Sequence, residues 1–267
     1  MVSVIMTAFN AEQYIKTSIE SVLNQTLKNW ELIIINDGSQ DDTETIVKAF
    51  DDPRIKYFFQ VNKGVSAARN AGLEQISGEY FCFLDADDYL TPESLNVRFQ
   101  YFCKNPDLDF LDGKINIYDR NLENIINQWM PKFRGNPLKE LLNISGSCFF
   151  NPSWMIKRKY DFNYHFNEDL SHGEDLLFFI DISEWGGTYD FVDDVILHYR
   201  KGHHSAMKNL IGLEQGYKQI YKSILSKERI SINDANNFKR KARRIILRSY
   251  LGNFQIKNAM LSTSKSW

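Results

Sequence analysis

Three carboxylates, Asp85, Asp87 and Asp88, directly follow a short apolar run from Tyr80 to Leu84. The run predicts a buried strand, where an unpaired carboxylate is very unfavourable. Acids grouped just past such a strand therefore need a counter-charge, and their hard oxygen atoms suit Mg²⁺ or Mn²⁺. Such ions commonly hold a substrate phosphate as well. The first expectation is a divalent metal site that serves a phosphorylated ligand.

The elements that must position these acids alternate between strands and helices. Apolar runs predict strands, and apolar residues at helical spacing predict helices between them. This alternation is typical of βαβ units and a mainly parallel sheet, in which ligands bind beyond the carboxyl ends of the strands. Three polar segments fall at that edge, namely 7–10, 36–39 and 85–88. The predicted strands are 2–7, 30–35, 54–60 and 80–84, and the predicted helices are 12–25, 43–50 and 65–76.

The pattern is less regular after about residue 105. Residues 109–118 and 190–199 favour further strands, and 137–143 and 173–185 favour helices. From residue 209 onward the chain is helical in pattern and increasingly basic. The expected class is therefore α/β, with a helical C-terminal extension.

The composition sets limits on the class of protein. The chain has 267 residues, 43% hydrophobic and 14% aromatic, which favours a sizeable core and argues against global disorder. A net charge of −2 gives no signature of a nucleic-acid binder. The three cysteines, at positions 82, 103 and 148, show no paired spacing and indicate reduced thiols. With no signal-peptide pattern and no apolar run near 20 residues, we expect a cytoplasmic protein.

Six motifs in order resemble the family 2 glycosyltransferases. They are Val2–Asn10, Ser21–Thr26, Glu31–Ser39, Asn62–Gly72, Phe83–Asp88 and Phe166–Asp175. One such motif is weak, but six in the right order and spacing are a strong signal. The resemblance covers roughly residues 2–205 and implies a GT-A fold with a Rossmann-like sheet flanked by helices. It also implies inverting transfer from a nucleotide-diphosphate sugar, most often a UDP-sugar, to a glycan or lipid-linked acceptor.

The same resemblance divides the chain. It implies a GT-A catalytic domain over 1–205, with a nucleotide-binding half at 1–105 and an acceptor-binding half at 106–205. Residues 206–267 are then the helical C-terminal extension. No nucleic-acid partner is expected.

The resemblance also assigns the donor site. Asp87 is expected to bind the cation, Mn²⁺ or Mg²⁺, while Asp85 contacts both the ribose and the metal. Asp37 is expected to accept a hydrogen bond from the nucleobase, although its Asn-Asp-Gly-Ser turn is equally typical of an ordinary turn. The resemblance assigns Arg69 to the nucleotide site, and the alternative is an arginine exposed to solvent on its helix. The other expected nucleotide contacts are Thr7, Ala8, Phe9, Asn10, Ala86, Arg200 and Ser205.

Several of these assignments stay open from the residues alone. Phe9 is expected either to stack on the base or to lie in the core. His203 or His204 is expected to touch the diphosphate or the metal. The acids at 85–88 also fit a turn that caps the next helix, and Asp88 suits that structural interpretation better than Asp87.

The catalytic base is expected near residue 175. Inverting transfer needs a carboxylate that removes the proton of the acceptor hydroxyl. The family's Glu-Asp pair matches Glu174 and Asp175, of which Asp175 is the favoured base and Glu174 the alternative. Acids in the first turn of a helix also suit its dipole, so stability alone accounts for the pair equally well. The expected acceptor contacts are Ser147, Trp154 and His172, with a buried core tryptophan as the alternative for Trp154.

Six cationic residues lie within Lys239–Arg248. An apolar stripe is expected on the same helix, made of Phe238, Ala242, Ile245, Ile246 and Tyr250. Two interpretations remain open: a solvated helix packed on the catalytic domain, or peripheral contact of residues 238–251 with an anionic membrane surface. The second places the protein at the inner face of the plasma membrane.

Two other functions compete with glycosyl transfer. A nucleotidyltransferase of sugar-nucleotide synthesis also uses acids, a metal and a Rossmann-like sheet. It needs an activating basic loop near the N-terminus, and Met6–Asn10 contains neither glycine nor lysine. The second alternative is a catalytically inactive sugar-nucleotide-binding domain, against which the acids at 85, 87, 174 and 175 argue.

Overall fold

A computed structural model of the chain describes residues 1–201 and 209–264. These residues form one mixed sheet with helices on both of its faces, which confirms the predicted α/β class. The strands are β1 (Val2–Ala8), β2 (Trp30–Asp37), β3 (Ile55–Gln60), β4 (Tyr80–Asp85), β5 (Tyr89–Leu90), β6 (Phe110–Tyr118), β7 (Ile125–Trp129), β8 (Met155–Lys157) and β9 (Tyr189–Arg200). The helices are α1 (Ile15–Leu23), α2 (Thr43–Lys48), α3 (Val65–Glu74), α4 (Ser94–Lys104), α5 (Leu138–Leu142), α6 (Glu174–Glu184), α7 (Leu210–Leu225), α8 (Ile232–Gly252) and α9 (Ile256–Ser264).

The sheet has nine strands, in the order β3-β2-β1-β4-β8-β6-β9-β5, with β7 paired to β6. The first four strands in this order are parallel, as their alternation with helices predicts. Thr7 of β1 pairs with Ile35 of β2 on one side and with Asp85 of β4 on the other. The carboxyl ends of these three strands are therefore level with one another, which brings their polar segments to one edge.

Both faces of β1, β2 and β4 are buried, so their sequences are mostly apolar rather than alternating, whereas the edge strand β3 is only partly buried. Ile5, Ile33 and Phe83 lie in one hydrophobic cluster together with residues of α3 and α6. Met6 and Ile34 lie in a second cluster on the opposite face, with residues of α1 and α4. A shift of one residue in the register would exchange the side chains that enter the two clusters.

Three short strands were not predicted, and they complete the sheet. Of these, β8 is three residues long and joins β4 to β6 by antiparallel pairing on both sides. It thereby connects the first half of the chain to the second. The two-residue β5 pairs with β9 and lies immediately after the acids at 85–88. Strands this short carry no periodic pattern that a sequence shows.

The C-terminal helices share the core of the sheet. Tyr217 and Ile220 of α7 and Phe238 and Ile246 of α8 belong to the same hydrophobic cluster as Phe178 of α6. The cationic helix is thus packed on the rest of the protein through its apolar stripe. Within residues 1–201 and 209–264, no helix combines the length and the apolar character needed to cross a bilayer.

Candidate active site

A cleft of about 1230 Å³ opens at the carboxyl ends of β1, β2 and β4. The adjoining start of α3 also lines it, through Val65, Ala68 and Arg69. The structure therefore brings together most of the residues expected at the donor site. Those that line the cleft are Thr7, Ala8, Phe9, Asn10, Asp37, Arg69, Asp85, Ala86 and Asp87.

Asp37 organises one wall of the cleft. Its carboxylate accepts hydrogen bonds from the main-chain N–H groups of Lys63 and Gly64, at 2.8 and 2.9 Å. The following residue, Gly38, has φ +76°, and a Cβ there would lie 2.7 Å from the main-chain nitrogen of Asn62. Only glycine fits that approach without a shift of the backbone. Asp37 is 4% exposed, so its first structural task is to hold the loop that leads into α3.

Phe9 stands at the mouth of the cleft with 53% of its surface exposed, which removes the core alternative for this ring. The next residue, Asn10, has φ +49° and is held by two hydrogen bonds, one from its main chain and one to its side chain. Its N–H donates to the Ser39 hydroxyl at 2.9 Å, and its side-chain oxygen accepts from the Gln40 N–H at 2.9 Å. These bonds tie the end of β1 to the loop after β2 and fix the position from which Phe9 projects.

The acids at 85–88 form a compact cluster. One carboxylate oxygen each from Asp85, Asp87 and Asp88 lies within 4.8 Å of the others. The turn is closed by the Asp88 N–H, which donates to the Asp85 carbonyl at 3.0 Å. Asp88 is only 2% exposed, and its burial, together with the charges of Asp87 and Asp85, raises its pKa well above the usual value. Three carboxylates this close together, one of them buried, fit a hard divalent cation.

Arg200, at the end of β9, makes two hydrogen bonds to this acidic turn. Its main-chain N–H donates to Asp88 Oδ1 at 2.9 Å, and its Nε donates to the Asp87 carbonyl at 3.0 Å. Its Nη1 donates to the carbonyl of Arg120 at 2.8 Å, and the guanidinium lies 4.4 Å from the centre of the Tyr14 ring. Arg200 is buried and its guanidinium is bonded within the protein, so it positions the acidic turn, and the expected diphosphate contact stays a prediction. Arg120, which the sequence did not indicate, lines the cleft itself.

Three other expected contacts, His203, His204 and Ser205, lie outside the residues that the structure describes.

Arg69 connects the acidic turn to helix α6. It is 5% exposed, so it is not the solvated helical arginine of the alternative interpretation. Its Nη2 lies 3.2 Å from Asp85 Oδ1 and its Nη1 lies 3.2 Å from Glu174 Oε1. The guanidinium also lies 5.3 Å from the centre of the Phe166 ring. One buried cation thus joins two acids that are 89 positions apart in the sequence.

The two acids at the start of α6 lie in different environments. Gly173 precedes the helix with φ +75°, and Glu174 is committed to Arg69. Asp175 is half-buried, and its carboxylate accepts from the Leu176 N–H at 2.7 Å. Burial, with the charge of Glu174 added, raises the pKa of Asp175 to about 7. Two neighbouring carboxylates with different environments are typical of groups with separate chemical tasks.

Two of the three expected acceptor contacts are corrected by their burial. Trp154 is 0% exposed and its indole N–H donates to the Cys148 carbonyl at 2.8 Å, so it is the core residue of the alternative interpretation. His172 is 9% exposed and packs under α7, where a Cβ on Gly216 would lie 2.2 Å from the His172 carbonyl oxygen. Ser147 remains half-buried, and its hydroxyl donates to Glu140 at 2.6 Å.

An aromatic cluster beside the acids was not predicted. The Trp129 and Phe150 rings are stacked with centres 5.7 Å apart, and Phe150 meets Tyr199 edge-on at 5.4 Å. The cluster adjoins the acidic turn, because Tyr199 directly precedes Arg200, whose N–H donates to Asp88. Burial, with the charges of the acids at 85–88 added, raises the pKa of Tyr199 to about 12. Phe150 is 36% exposed, and the Trp129 indole N–H donates to the Gly146 carbonyl at 3.0 Å. Aromatic residues within otherwise polar segments are the sequence signal for this surface.

Comparison with known proteins agrees with this arrangement. Residues 3–162 match the model of Glycosyl transferase family 2. The chain belongs to glycosyltransferase family 2. An uncharacterized glycosyltransferase of Methanocaldococcus jannaschii is 31% identical over 206 residues, which are 75% of this chain and 70% of that protein. This glycosyltransferase is therefore an enzyme of the class that the motifs indicate, and the nucleotidyltransferase and inactive-domain alternatives are set aside.

Two further relatives have more specific names. The Escherichia coli protein WfgD, named UDP-Glc:alpha-D-GlcNAc-diphosphoundecaprenol beta-1,3-glucosyltransferase, is 40% identical over 122 residues, which are 45% of this chain and 48% of WfgD. The crystal structure of Staphylococcus aureus TarS 1–349 in complex with UDP-GlcNAc superposes with a TM-score of 0.76 at 21% identity. That match covers 96% of this chain and 75% of the TarS chain. It confirms the expected GT-A fold.

The arginine bridge yields a stability test. Replacing Arg69 with glutamine leaves the partly buried Asp85 and Glu174 without the cation that they share, and we expect a loss of free energy of unfolding on the order of 3 kcal/mol. The measurement is urea denaturation followed by circular dichroism. The double variant Arg69→Gln with Glu174→Gln should recover part of that loss, because one of the opposed charges is gone.

The matched control is Lys48→Gln, which removes an exposed i, i+4 pair with Glu44 and should change stability by only about 0.5 kcal/mol. If Arg69→Gln and Lys48→Gln lower the free energy of unfolding equally, the Arg69 bridge contributes no more to stability than an exposed ion pair.

Proposed function

We propose that this glycosyltransferase is cation-dependent and inverting, and that it moves a sugar from a nucleoside diphosphate donor to an acceptor hydroxyl. The observation that supports the proposal is the bridge through Arg69, which lines the cleft and pairs with both Asp85 of the acidic turn and Glu174 of α6. The reaction needs a cation that stabilises the leaving diphosphate and a base that deprotonates the incoming hydroxyl, both within one site. The acids at 85–88 suit the first task, and the acid pair of α6 suits the second.

The donor is proposed to be a UDP-sugar. The cleft of about 1230 Å³ exceeds the range of about 300–1,000 Å³ common for small-molecule sites, so it has room for an extended nucleotide with its sugar. Phe9 presents an exposed ring on which a base can stack, and Asp37 supplies acceptor oxygens at the same wall. The UDP-containing names of WfgD and of the TarS complex favour uridine over other nucleosides.

The proposed cation, Mn²⁺ or Mg²⁺, would be held by Asp87 and Asp85. When bound, it neutralises the charge that develops on the departing diphosphate. Asp88 is engaged by the Arg200 N–H, so its part is to fix the turn on which the other two acids stand. Arg120 adds a positive charge at the cleft wall, on the side where a diphosphate would lie against the acidic turn.

Asp175 is the proposed base. Its carboxylate takes the proton of the acceptor hydroxyl as the acceptor oxygen forms its bond to the anomeric carbon of the donor sugar. In the same displacement the bond from that carbon to the diphosphate oxygen breaks, and the diphosphate leaves with the electron pair. Glu174 is less suited because its Oε1 accepts a hydrogen bond from Arg69 Nη1 at 3.2 Å as part of the bridge. A pKa of about 7 places Asp175 where proton uptake is efficient near neutral pH.

The acceptor is proposed to be a glycan or a lipid-linked saccharide, the class printed in the name of WfgD. Phe150 and Trp129 supply an aromatic face beside the acidic turn, which suits the apolar face of a sugar ring. Ser147 lies near this face, two residues beyond the hydroxyl of Ser145 to which it is bonded at 2.7 Å.

The donor and cation proposal is tested by isothermal titration of UDP. We expect UDP to bind the wild-type chain at least about tenfold more tightly with Mn²⁺ than with EDTA, because a bound cation pairs with the diphosphate. Asp87→Asn should remove that difference while leaving the weaker binding in place. Asp51→Asn, the same change at an exposed position away from the cleft, should behave as wild type. An identical affinity for UDP with Mn²⁺ and with EDTA would count against the cation.

The base is tested by the release of UDP from the best donor in a screen of UDP-, GDP- and dTDP-sugars. Asp175→Asn should lower turnover by about 10²-fold or more while UDP affinity stays within about twofold. Because the base must be deprotonated and its pKa is raised to about 7, the wild-type rate should increase as the pH rises through about 7. Near-normal turnover of Asp175→Asn would transfer the role to Glu174 or to another group.

A further inference from the structure

The charge of the chain is strongly divided along its length. Residues 235–267 contain eight of the 32 Lys and Arg and none of the 34 Asp and Glu. The remaining 234 residues therefore hold 24 cationic against 34 acidic side chains, a formal net charge of −10. A net charge of −2 for the whole chain conceals this division. A basic segment without acids attracts anionic surfaces locally, although the rest of the chain is acidic.

Helix α8 carries most of that block and has two distinct faces. Phe238, Ala242, Ile246 and Tyr250 are at most 1% exposed and pack into the core, so the predicted apolar stripe exists but is closed to any partner. The opposite face carries Arg240, Arg244, Arg248 and Leu251, all exposed. Steps of four, four and three residues keep these side chains in one row along the helix.

The cationic row ends at a group of exposed apolar side chains. Leu251 is 51% exposed, Phe254 is 91% exposed and Ile256 is 58% exposed, all at the turn from α8 to α9. Leu261 of α9 adds a further side chain at 41%. Phe254 has φ +57°, a backbone conformation that bulky residues rarely adopt, and here it projects the ring into solvent. Single exposed apolar residues are ordinary, but a group of them beside a row of arginines is typical of interfacial contact with lipid.

We propose that the exposed face of α8 and the α8–α9 turn form a docking surface for an anionic phospholipid membrane. Arg240, Arg244 and Arg248 lie over the headgroup phosphates, while Leu251 and Phe254 enter the boundary of the acyl chains. The membrane is favoured over a nucleic acid because aliphatic side chains such as Leu251 and Ile256 gain nothing from a row of phosphates. The acidic remainder of the chain also repels a polyanion that wraps around it.

Flotation of the full chain with phospholipid vesicles tests the proposal. We expect binding to vesicles of phosphatidylcholine with 30% phosphatidylglycerol, and no binding to phosphatidylcholine alone. The triple variant of Arg240, Arg244 and Arg248 to glutamine should lower the partition coefficient by at least about tenfold, since each cationic residue near an anionic surface adds to the attraction. Thermal unfolding by circular dichroism shows that the variant is folded.

Two matched variants separate this surface from general charge and from electrostatics alone. Replacing Lys16, Lys48 and Lys104 with glutamine removes the same charge from exposed positions elsewhere and should leave binding unchanged. Phe254→Ser should weaken binding most at high salt, where screening leaves the apolar contact as the main contribution. Because Phe254 is almost fully exposed, its replacement leaves the core intact.

The proposal is overturned if the chain fails to bind anionic vesicles at low ionic strength. It is equally overturned if the lysine control loses as much binding as the arginine triple variant, or if Phe254→Ser binds as wild type at every salt concentration. Tighter binding to single-stranded RNA than to anionic vesicles would assign the basic face to nucleic acid instead. None of these outcomes depends on UDP binding or turnover, so they leave the donor and base assignments untouched.

Discussion

The site depends on one buried arginine that stands between two groups of acids. Asp85, Glu174 and Asp175 come from distant parts of the chain, and without a cation among them their charges would force the strand end and the helix apart. Arg69 reaches Asp85 and Glu174 with separate nitrogen atoms, at 3.2 Å each, from within a helix that is packed on the sheet. Removing one partner of a buried ion pair typically costs about 3–5 kcal/mol, a large fraction of the stability of a domain. Stability and the assembly of the site are therefore set by the same contact.

A second arginine serves the other side of the acidic turn. Arg200, at the end of β9, holds the turn through the Asp88 carboxylate and the Asp87 carbonyl. The acids at 85–88 are thus fixed from α3 by one arginine and from the last strand by the other. Arg200 thus holds the Asp88 carboxylate and the Asp87 main chain, while the charge repulsion among the clustered carboxylates remains to be balanced. The strand β9 is linked to the turn in two ways: by direct pairing with β5, which follows the acids, and by the pairing of β6 with β8 and of β8 with β4.

The sequence predicts the regular parts of this molecule well and its irregular parts poorly, for physical reasons. Strands buried on both faces, such as β1 and β4, leave long apolar runs, and the polar residues after them mark the edge where ligands bind. A residue type does not reveal which way its side chain points, so the sequence leaves Trp154 open between an acceptor contact and the core, and it lies in the core. The Trp129 and Phe150 pair arises only when β7 and the loop near residue 150 meet in the fold. The sequence likewise assigns Arg69 to the site, but it does not reveal that Asp85 and Glu174 are its ion-pair partners.

The most direct measurement is X-ray diffraction from crystals grown with UDP and MnCl₂, recorded at the manganese absorption edge. We expect one anomalous peak within about 2.5 Å of carboxylate oxygens of Asp85 and Asp87, with the diphosphate on its far side. Arg69 should still pair with Asp85 and Glu174, and the Asp175 carboxylate should face the open side of the donor site. A peak away from the acidic turn, or an Asp175 side chain turned away from the bound nucleotide, would contradict the proposed division of tasks between the two acidic groups.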